Sequence, residues 1–261
     1  MTRCAYRVDG PNDGPPVVLL HAIATTSSLW AAQLPVWAAA FRLISIDLPG
    51  HGNSPDQQGD LDLADYADCV CEVLDELRIG RASVVGLSLG GMIAQAFALK
   101  YPHRLTALVL AHTSARTEAP VKGIWSGRIA RFEKEGMEAQ VLPTLERWFT
   151  RAFAESSPLT LAWLSDQIRR TSSWGYVSAI KAIQGLDHLD KLQKIKAPAL
   201  VVAGEQDSAV PPAAAAKIAE RLNNAQMLVV PGAAHLGNVE KPVEFTEAVG
   251  AFLRQVSQPS L

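Results

Sequence analysis

Val84-Val85-Gly86-Leu87-Ser88-Leu89-Gly90-Gly91 lies between an apolar run that begins at Ala82 and a helix-forming run that opens with Met92-Ile93-Ala94-Gln95-Ala96. The string is Gly-x-Ser-x-Gly in a strand-to-helix setting, where a sharp turn holds a serine hydroxyl clear of a sheet. Backbone that tight is strained and leaves no room for a Cβ two residues before or after the serine. Gly86 and Gly90 meet that need, and Gly91 lets the helix behind pack closely. The bare string also recurs by chance as a glycine-rich turn with an incidental serine, so the rest of the chain must show whether Ser88 has partners.

Upstream, residues 3 to 9 and the Pro/Gly-rich stretch from Gly10 to Pro16 read as an edge strand and its turn. Val17-Val18-Leu19-Leu20 has no polar alternation, as expected of a strand covered on both faces. It runs into the small-residue loop His21-Ala22-Ile23-Ala24-Thr25-Thr26. Leu29 to Ala40 reads as a helix interrupted at Pro35, and Arg42 to Ile46 as the next strand. Asp62 is placed to cap a helix, with Asp65 three residues on, and Gly80 is expected to end it. Leu105 to Ala111 is another buried strand. Strand and helix alternating in this way predict an α/β chain with a mostly parallel central sheet and helices on both faces.

Between Ser114 and Ile195 buried-strand runs stop and helical periodicity takes over, punctuated by Gly123, Gly136, Pro143 and Pro158. A segment without a strand does not extend the sheet. It is therefore read as a helical lid, residues 114–195, inserted into a core made of 1–113 and 196–261. The alternation resumes with the strand Ala199 to Ala203, the helix Pro211 to Leu222, the strand Met227 to Val230 and a final helix from Pro242 to Val256.

A serine hydroxyl becomes a nucleophile only when a base takes its proton and a carboxylate orients that base. In this architecture the chain order is serine, acid, histidine, each after a strand. Asp207 follows the strand that ends at Ala203, within Gly204-Glu205-Gln206-Asp207, and His235 follows the strand that ends at Val230, within Gly232-Ala233-Ala234-His235. Alone, Asp207 is a turn residue and His235 a neighbour of a helix start. Together with Ser88 they form the predicted catalytic triad, with Glu205 the near competitor for the acid. Two donors are needed for the developing oxyanion. The backbone N–H of Leu89 and that of Ile23 are the candidates by position.

Composition bounds the rest. Hydrophobic residues at 48% and charged residues at 19% describe a globular chain with one sizeable core, and a net charge of -2 argues against a nucleic-acid surface. No run approaches the roughly 20 apolar residues of a membrane span. Cys4, Cys69 and Cys71 form no framework of pairs and read as thiols, so a soluble, cytoplasmic protein is expected. His51, His103, His112 and His188 show no metal-ligand spacing, and there is no phosphate loop. No metal or nucleotide cofactor is therefore expected. His112, at a strand end, is placed where it can face the pocket.

Across nearly its whole length the chain resembles the α/β-hydrolase family, in Gly86-Leu87-Ser88-Leu89-Gly90-Gly91, Asp47-Leu48-Pro49-Gly50-His51-Gly52-Asn53-Ser54, Gly204-Glu205-Gln206-Asp207 and Pro231-Gly232-Ala233-Ala234-His235. Within it the chain is similar to the 3-oxoadipate enol-lactonases, in Gly91-Met92-Ile93-Ala94-Gln95, Thr113-Ser114-Ala115-Arg116, Glu135-Gly136-Met137 and Glu146-Arg147-Trp148-Phe149-Thr150. The resemblance implies Ser88 as nucleophile, Asp207 as acid and His235 as base. It departs at His21-Ala22, where most relatives have His-Gly, at Ala24-Thr25-Thr26, where enol-lactonases have Gly-Thr-Asp, and at His112, in place of a smaller polar residue. The implied partner is a small ester or lactone, with Trp125, Trp148 and Arg116 of the lid as candidate substrate contacts, and Arg147 beside Arg116 as a cation that a substrate carboxylate would meet. A general carboxylesterase, a carbon–carbon bond hydrolase or a perhydrolase would use the same triad. A hydrolase-fold ligand receptor is the reading outside enzymes.

Overall fold

A computed structural model of the chain describes residues 4–257. Seven strands form one sheet: β1 (Tyr6–Asp9), β2 (Pro16–Leu20), β3 (Arg42–Ile46), β4 (Ala82–Leu87), β5 (Leu105–Ala111), β6 (Ala199–Gly204) and β7 (Ala225–Val230). Their order is β1-β3-β2-β4-β5-β6-β7. β1 is antiparallel to β3 and every other neighbouring pair is parallel. The expected first residue of the edge strand, Arg3, lies outside the described residues. β4 and β6 are buried at every position, which explains their unbroken apolar runs. β7, at the far edge, leaves Met227 and Val229 partly open.

Helices α1 (Leu34–Trp37), α2 (Leu63–Glu76) and α3 (Leu89–Lys100) precede β5. α3 is buried from Leu89 to Ala98, as a helix that is apolar all round must be. α2 opens on a reciprocal cap. Asp62 accepts from the backbone of Ala64 and Asp65, and Asp65 accepts from the backbone of Asp62.

Two boundaries differ from the sequence reading. The stretch 29–40 is not one helix: a 3-10 turn over Ser27–Trp30 precedes the single-turn α1, whose Pro35 lies in the first turn, where its missing N–H costs nothing. Likewise α2 stops at Glu76, before Gly80, and Arg78 makes the left-handed turn with φ 55°.

Between β5 and β6 come α4 (Ala119–Glu135), α5 (Glu138–Trp148), α6 (Arg151–Ser156), α7 (Pro158–Arg170) and α8 (Ser173–Gln184). Gly123 and Pro143 do not divide this region, since they lie inside α4 and α5. Burial of Val141, Leu145 and Trp148 holds α5 together across its proline. Gly136, at φ 74°, does end α4, and Pro158 opens α7. The neck of the insertion is tied shut: Thr117 N–H donates to the Leu186 carbonyl, and the N–H groups of His188 and Leu189 donate to the Ala115 carbonyl.

After β6 the chain forms α9 (Pro212–Arg221), α10 (Gly237–Glu240) and α11 (Pro242–Ser257). Among the described residues no helix is long and apolar enough to cross a membrane. Cys4, Cys69 and Cys71 are buried thiols. The strand order sets β4, β5, β6 and β7 side by side, so the loops after all four open at the same end of the sheet.

Candidate active site

Ser88 is the single residue between β4 and α3, held at φ 55°, ψ −114°. The strain is enforced from both sides. A Cβ on Gly86 would lie 2.2 Å from the Gly90 carbonyl oxygen, and one on Gly90 would lie 2.1 Å from that of Leu20. The Ser88 N–H donates to the Ala111 carbonyl, and the Ser88 carbonyl accepts from Thr113 Oγ1 at 2.8 Å, so the turn is fastened to the end of β5.

The loops after β6 and β7 bring the other two residues to it. They are joined by backbone hydrogen bonds, Glu205 N–H to the Val230 carbonyl and Gln206 N–H to the Ala233 carbonyl. His235 Nε2 lies 2.9 Å from Ser88 Oγ, and His235 Nδ1 lies 2.9 Å from Asp207 Oδ2. Asp207 Oδ1 accepts from the backbone of Ala209 and Val210 at 3.0 and 2.8 Å. Burial alone would raise the Asp207 pKa, but the nearby His235 and the hydrogen bonds from His112 and His235 outweigh it and hold the carboxyl well below its usual range. The carboxylate is ionised and accepts only, so His235 Nδ1 carries the proton. Nε2 then presents its lone pair to the serine hydroxyl, the form a general base requires. Glu205 is turned outward and accepts from the Gly232 N–H at 2.8 Å, which separates it from the histidine.

Leu89 begins α3, so its N–H points out of the helix start, and among the described residues neither it nor the Ile23 N–H donates elsewhere. The loop holding Ile23 is shaped by His21. The His21 ring accepts the Leu48 N–H on Nε2 at 2.9 Å and donates from Nδ1 to the Ala22 carbonyl at 2.8 Å. Burial pushes its pKa down and keeps it neutral for that double role. Ala24 takes φ 56°, the backbone a glycine would adopt freely, so this loop keeps a left-handed turn without one.

The candidate substrate contacts divide. Arg116 is engaged at the surface with Asp187 and Asp190, so its charge is already met. Trp148 is buried, and its carbonyl accepts the N–H of Leu236, next to His235. Trp125 is half-buried and lies under the Arg128 guanidinium, 4.1 Å from ring centroid to Cζ.

Two features escape a reading by sequence alone: that Arg128 joins Arg147 without an ion pair, and what His112 touches. Arg128 and Arg147 are half-buried in the insertion and form no ion pair among the described residues, although the neighbouring Glu146 carboxylate favours the Arg147 charge. Burial, then the Arg147 charge, pushes Arg128 down to about 10, and burial lowers Arg147 as well. Nothing in helical periodicity marks an arginine that lacks an acid. The second feature is His112, which lies behind Asp207 instead of facing a pocket, with Nδ1 3.2 Å from Asp207 Oδ2. The ligand atoms of His112, Asp207 and His235 all fall within 4.8 Å of one another, but both ring protons point at the carboxylate and would have to leave before a cation could enter.

Residues 15–242 match the family profile described as alpha/beta hydrolase fold, and the chain belongs to that family of hydrolases. It is 30% identical over 251 residues to 3-oxoadipate enol-lactonase 2 of Acinetobacter baylyi, an alignment covering 96% of this chain and 92% of that relative. The solved structure of the enol-lactonase from Burkholderia xenovorans LB400 is 33% identical and superposes with a TM-score of 0.93, covering 97% of each chain. A thermophilic esterase from Thermogutta terrifontis, solved with malate bound, is 29% identical with a TM-score of 0.92, covering 98% of this chain and 94% of that one.

Proposed function

We propose that this protein is a cofactor-free serine hydrolase of a small lactone or carboxylic ester, acting through an acyl-enzyme. The observation that carries this reading is the hydrogen-bonded line from Ser88 Oγ through His235 to Asp207, with 2.9 Å at both links. His235 Nε2 takes the serine proton as Oγ attacks the carbonyl, and Asp207 holds the imidazole against Nδ1. The Leu89 and Ile23 N–H groups receive the oxyanion. His235 then returns the proton to the leaving oxygen. In a lactone that oxygen stays tethered to the acyl chain, and water releases the opened product by the same steps in reverse.

A carboxylate-bearing lactone of the 3-oxoadipate enol-lactone kind is the favoured substrate. Arg128 and Arg147 carry charge that no ion pair among the described residues takes up, and α5, which carries Arg147, touches the His235 loop through Trp148. The insertion over 114–195 serves as the lid of this site. The test is turnover of the enol-lactone by wild type and Ser88→Ala, with p-nitrophenyl acetate and a peracid assay alongside. Fast lactone hydrolysis lost in Ser88→Ala supports the reading, and turnover kept in that variant would sink it. Hydrolysis of the simple ester alone would keep the triad and reject the lactone.

A further inference from the structure

His112 combines three unfavourable features. It takes φ 50°, backbone that a residue with a Cβ avoids. Its imidazole is buried, and Nε2 has no partner there. The ring is also lodged so tightly against Gly237 that a Cβ on that glycine would lie 2.5 Å from Nε2. The ring stacks on Phe245, with centroids 6.4 Å apart and planes inclined by 23°. Among the described residues the ring makes one polar contact, Nδ1 to Asp207 Oδ2 at 3.2 Å.

We propose that His112 is a positioning residue for the triad: it donates from Nδ1 to the same Asp207 oxygen that orients His235, which locks the carboxylate and tempers its pull on the catalytic imidazole. This inference rests on the reading of Ser88, His235 and Asp207 as a triad. With His112 in place Asp207 has four donors: Ala209 and Val210 on Oδ1, His235 and His112 on Oδ2. They occupy the roughly four acceptor sites of a carboxylate, so it has no free direction in which to turn. Because Asp207 only accepts, the His112 proton must be on Nδ1, which leaves Nε2 bare against Gly237. A second proton there would be a buried donor with nothing to bind, and burial accordingly pushes His112 toward its neutral form.

The titratable groups facing His112 are Asp207, His235 and Glu240. Glu240 is occupied by the Ala234 and Thr150 N–H groups and by the Thr150 hydroxyl. Two donors on one oxygen divide its charge. Removing His112 leaves the charge of Oδ2 to His235 alone, and the acidic limb of kcat/KM moves to higher pH.

His112→Phe keeps a ring against Phe245 and removes the donor. His112→Asn places an amide Nδ2 near the Nδ1 position and restores it. In His112→Phe, kcat falls about tenfold at nearly constant KM, the size of one charge-assisted hydrogen bond. Its acidic limb rises by about half a pH unit or more. His112→Asn keeps the wild-type limb and a kcat within about threefold. A side chain that only fills space would give the reverse order, with Phe tolerated and Asn impaired, and that result would overturn the proposal.

If His112→Phe does not fold, 15N NMR of the labelled wild-type protein decides through the tautomer. A neutral Nδ1–H imidazole at His112 from about pH 5 to 8 supports the proposal, and an Nε2–H form or a titration in that range rejects it. Ser88→Ala is assayed beside these variants. Turnover kept there removes the triad reading and this inference with it; turnover lost there, with an unmoved limb in His112→Phe, removes only the inference.

Discussion

The backbone N–H of Thr26 donates to Gln167 Oε1 at 2.9 Å, and the Thr26 hydroxyl reaches the same oxygen at 3.2 Å. The loop that carries Ile23 is thereby held by α7 of the insertion as well as by His21 beneath it. Gln167→Leu leaves that N–H without a partner and should cost about 1–2 kcal/mol. The expected result is a Tm lower by about 2–6 °C, with a fall in kcat/KM as the Ile23 donor loses its fixed position. A Tm equal to that of wild type would contradict the linkage.

Arg128 and Arg147 supply the second prediction. If their charge receives a substrate carboxylate, Arg128→Gln should cut the preference for a carboxylate-bearing lactone over p-nitrophenyl acetate by about tenfold, the value of one charge-assisted contact. The ratio of kcat/KM for the two substrates is the measurement. An unchanged ratio would assign the arginine to packing over Trp125.

Acid should weaken the fold well before carboxylates titrate. Burial, reinforced by nearby His21, pushes His51 down to about 3. In the unfolded chain the same histidine takes a proton near its usual value of about 6.5. The unfolded state therefore binds more protons through this window, and stability falls as pH drops from that value toward 3. One such histidine contributes a loss of about 2 kcal/mol between pH 7 and pH 5. Buried His21 and His112 act in the same direction. Urea unfolding at the two pH values tests this, and equal midpoints would refute it.

Glycine substitutions should separate by what a Cβ meets. On Gly90 it would sit 2.1 Å from the Leu20 carbonyl oxygen and 2.6 Å from its carbon, both backbone atoms of the adjoining strand. Gly90→Ala is expected to lose more than about 4 kcal/mol and yield no folded protein. Gly123, inside α4, has nothing within 4 Å of such a Cβ, and Gly123→Ala should add about 0.5–1 kcal/mol. Purification yield and thermal unfolding of the two variants read the contrast.

Much of the sheet was legible because β2 to β6 are covered on both faces and so are mostly apolar along their length. Ser88, Asp207 and His235 could be located because each follows a strand in the expected order, the first two after buried strands and His235 after the apolar but half-open edge strand β7. The parts that escaped depend on contacts between distant elements. Nothing local tells that Arg78, a residue with a Cβ, takes the left-handed turn that Gly80 seemed made for. Pro143 and Gly123 read as breaks, yet packing and neighbouring helix outweighed their propensities. The surface pairing of Arg116 could not be told in sequence from the unmet charge of Arg128, since the acids that meet Arg116, Asp187 and Asp190, lie at the far end of the insertion. The contact of His112 with Asp207 was hidden because its partner arrives from the far side of the insertion.

That far side also sets when the protein comes alive. β5 pairs with β6 only after all of the insertion between them has been made. On the proposed reading, a nascent chain emerging from the ribosome carries Ser88 early and stays chemically inert, because its proton acceptor, His235, is synthesised late. Tying the neck shut brings β6 home over a short distance, and loop-closure entropy grows only slowly with what lies between. The insertion therefore delays the arrival of His235 without making its docking much harder, and a chain that stops within it would, on the proposed reading, hold a nucleophile that cannot act.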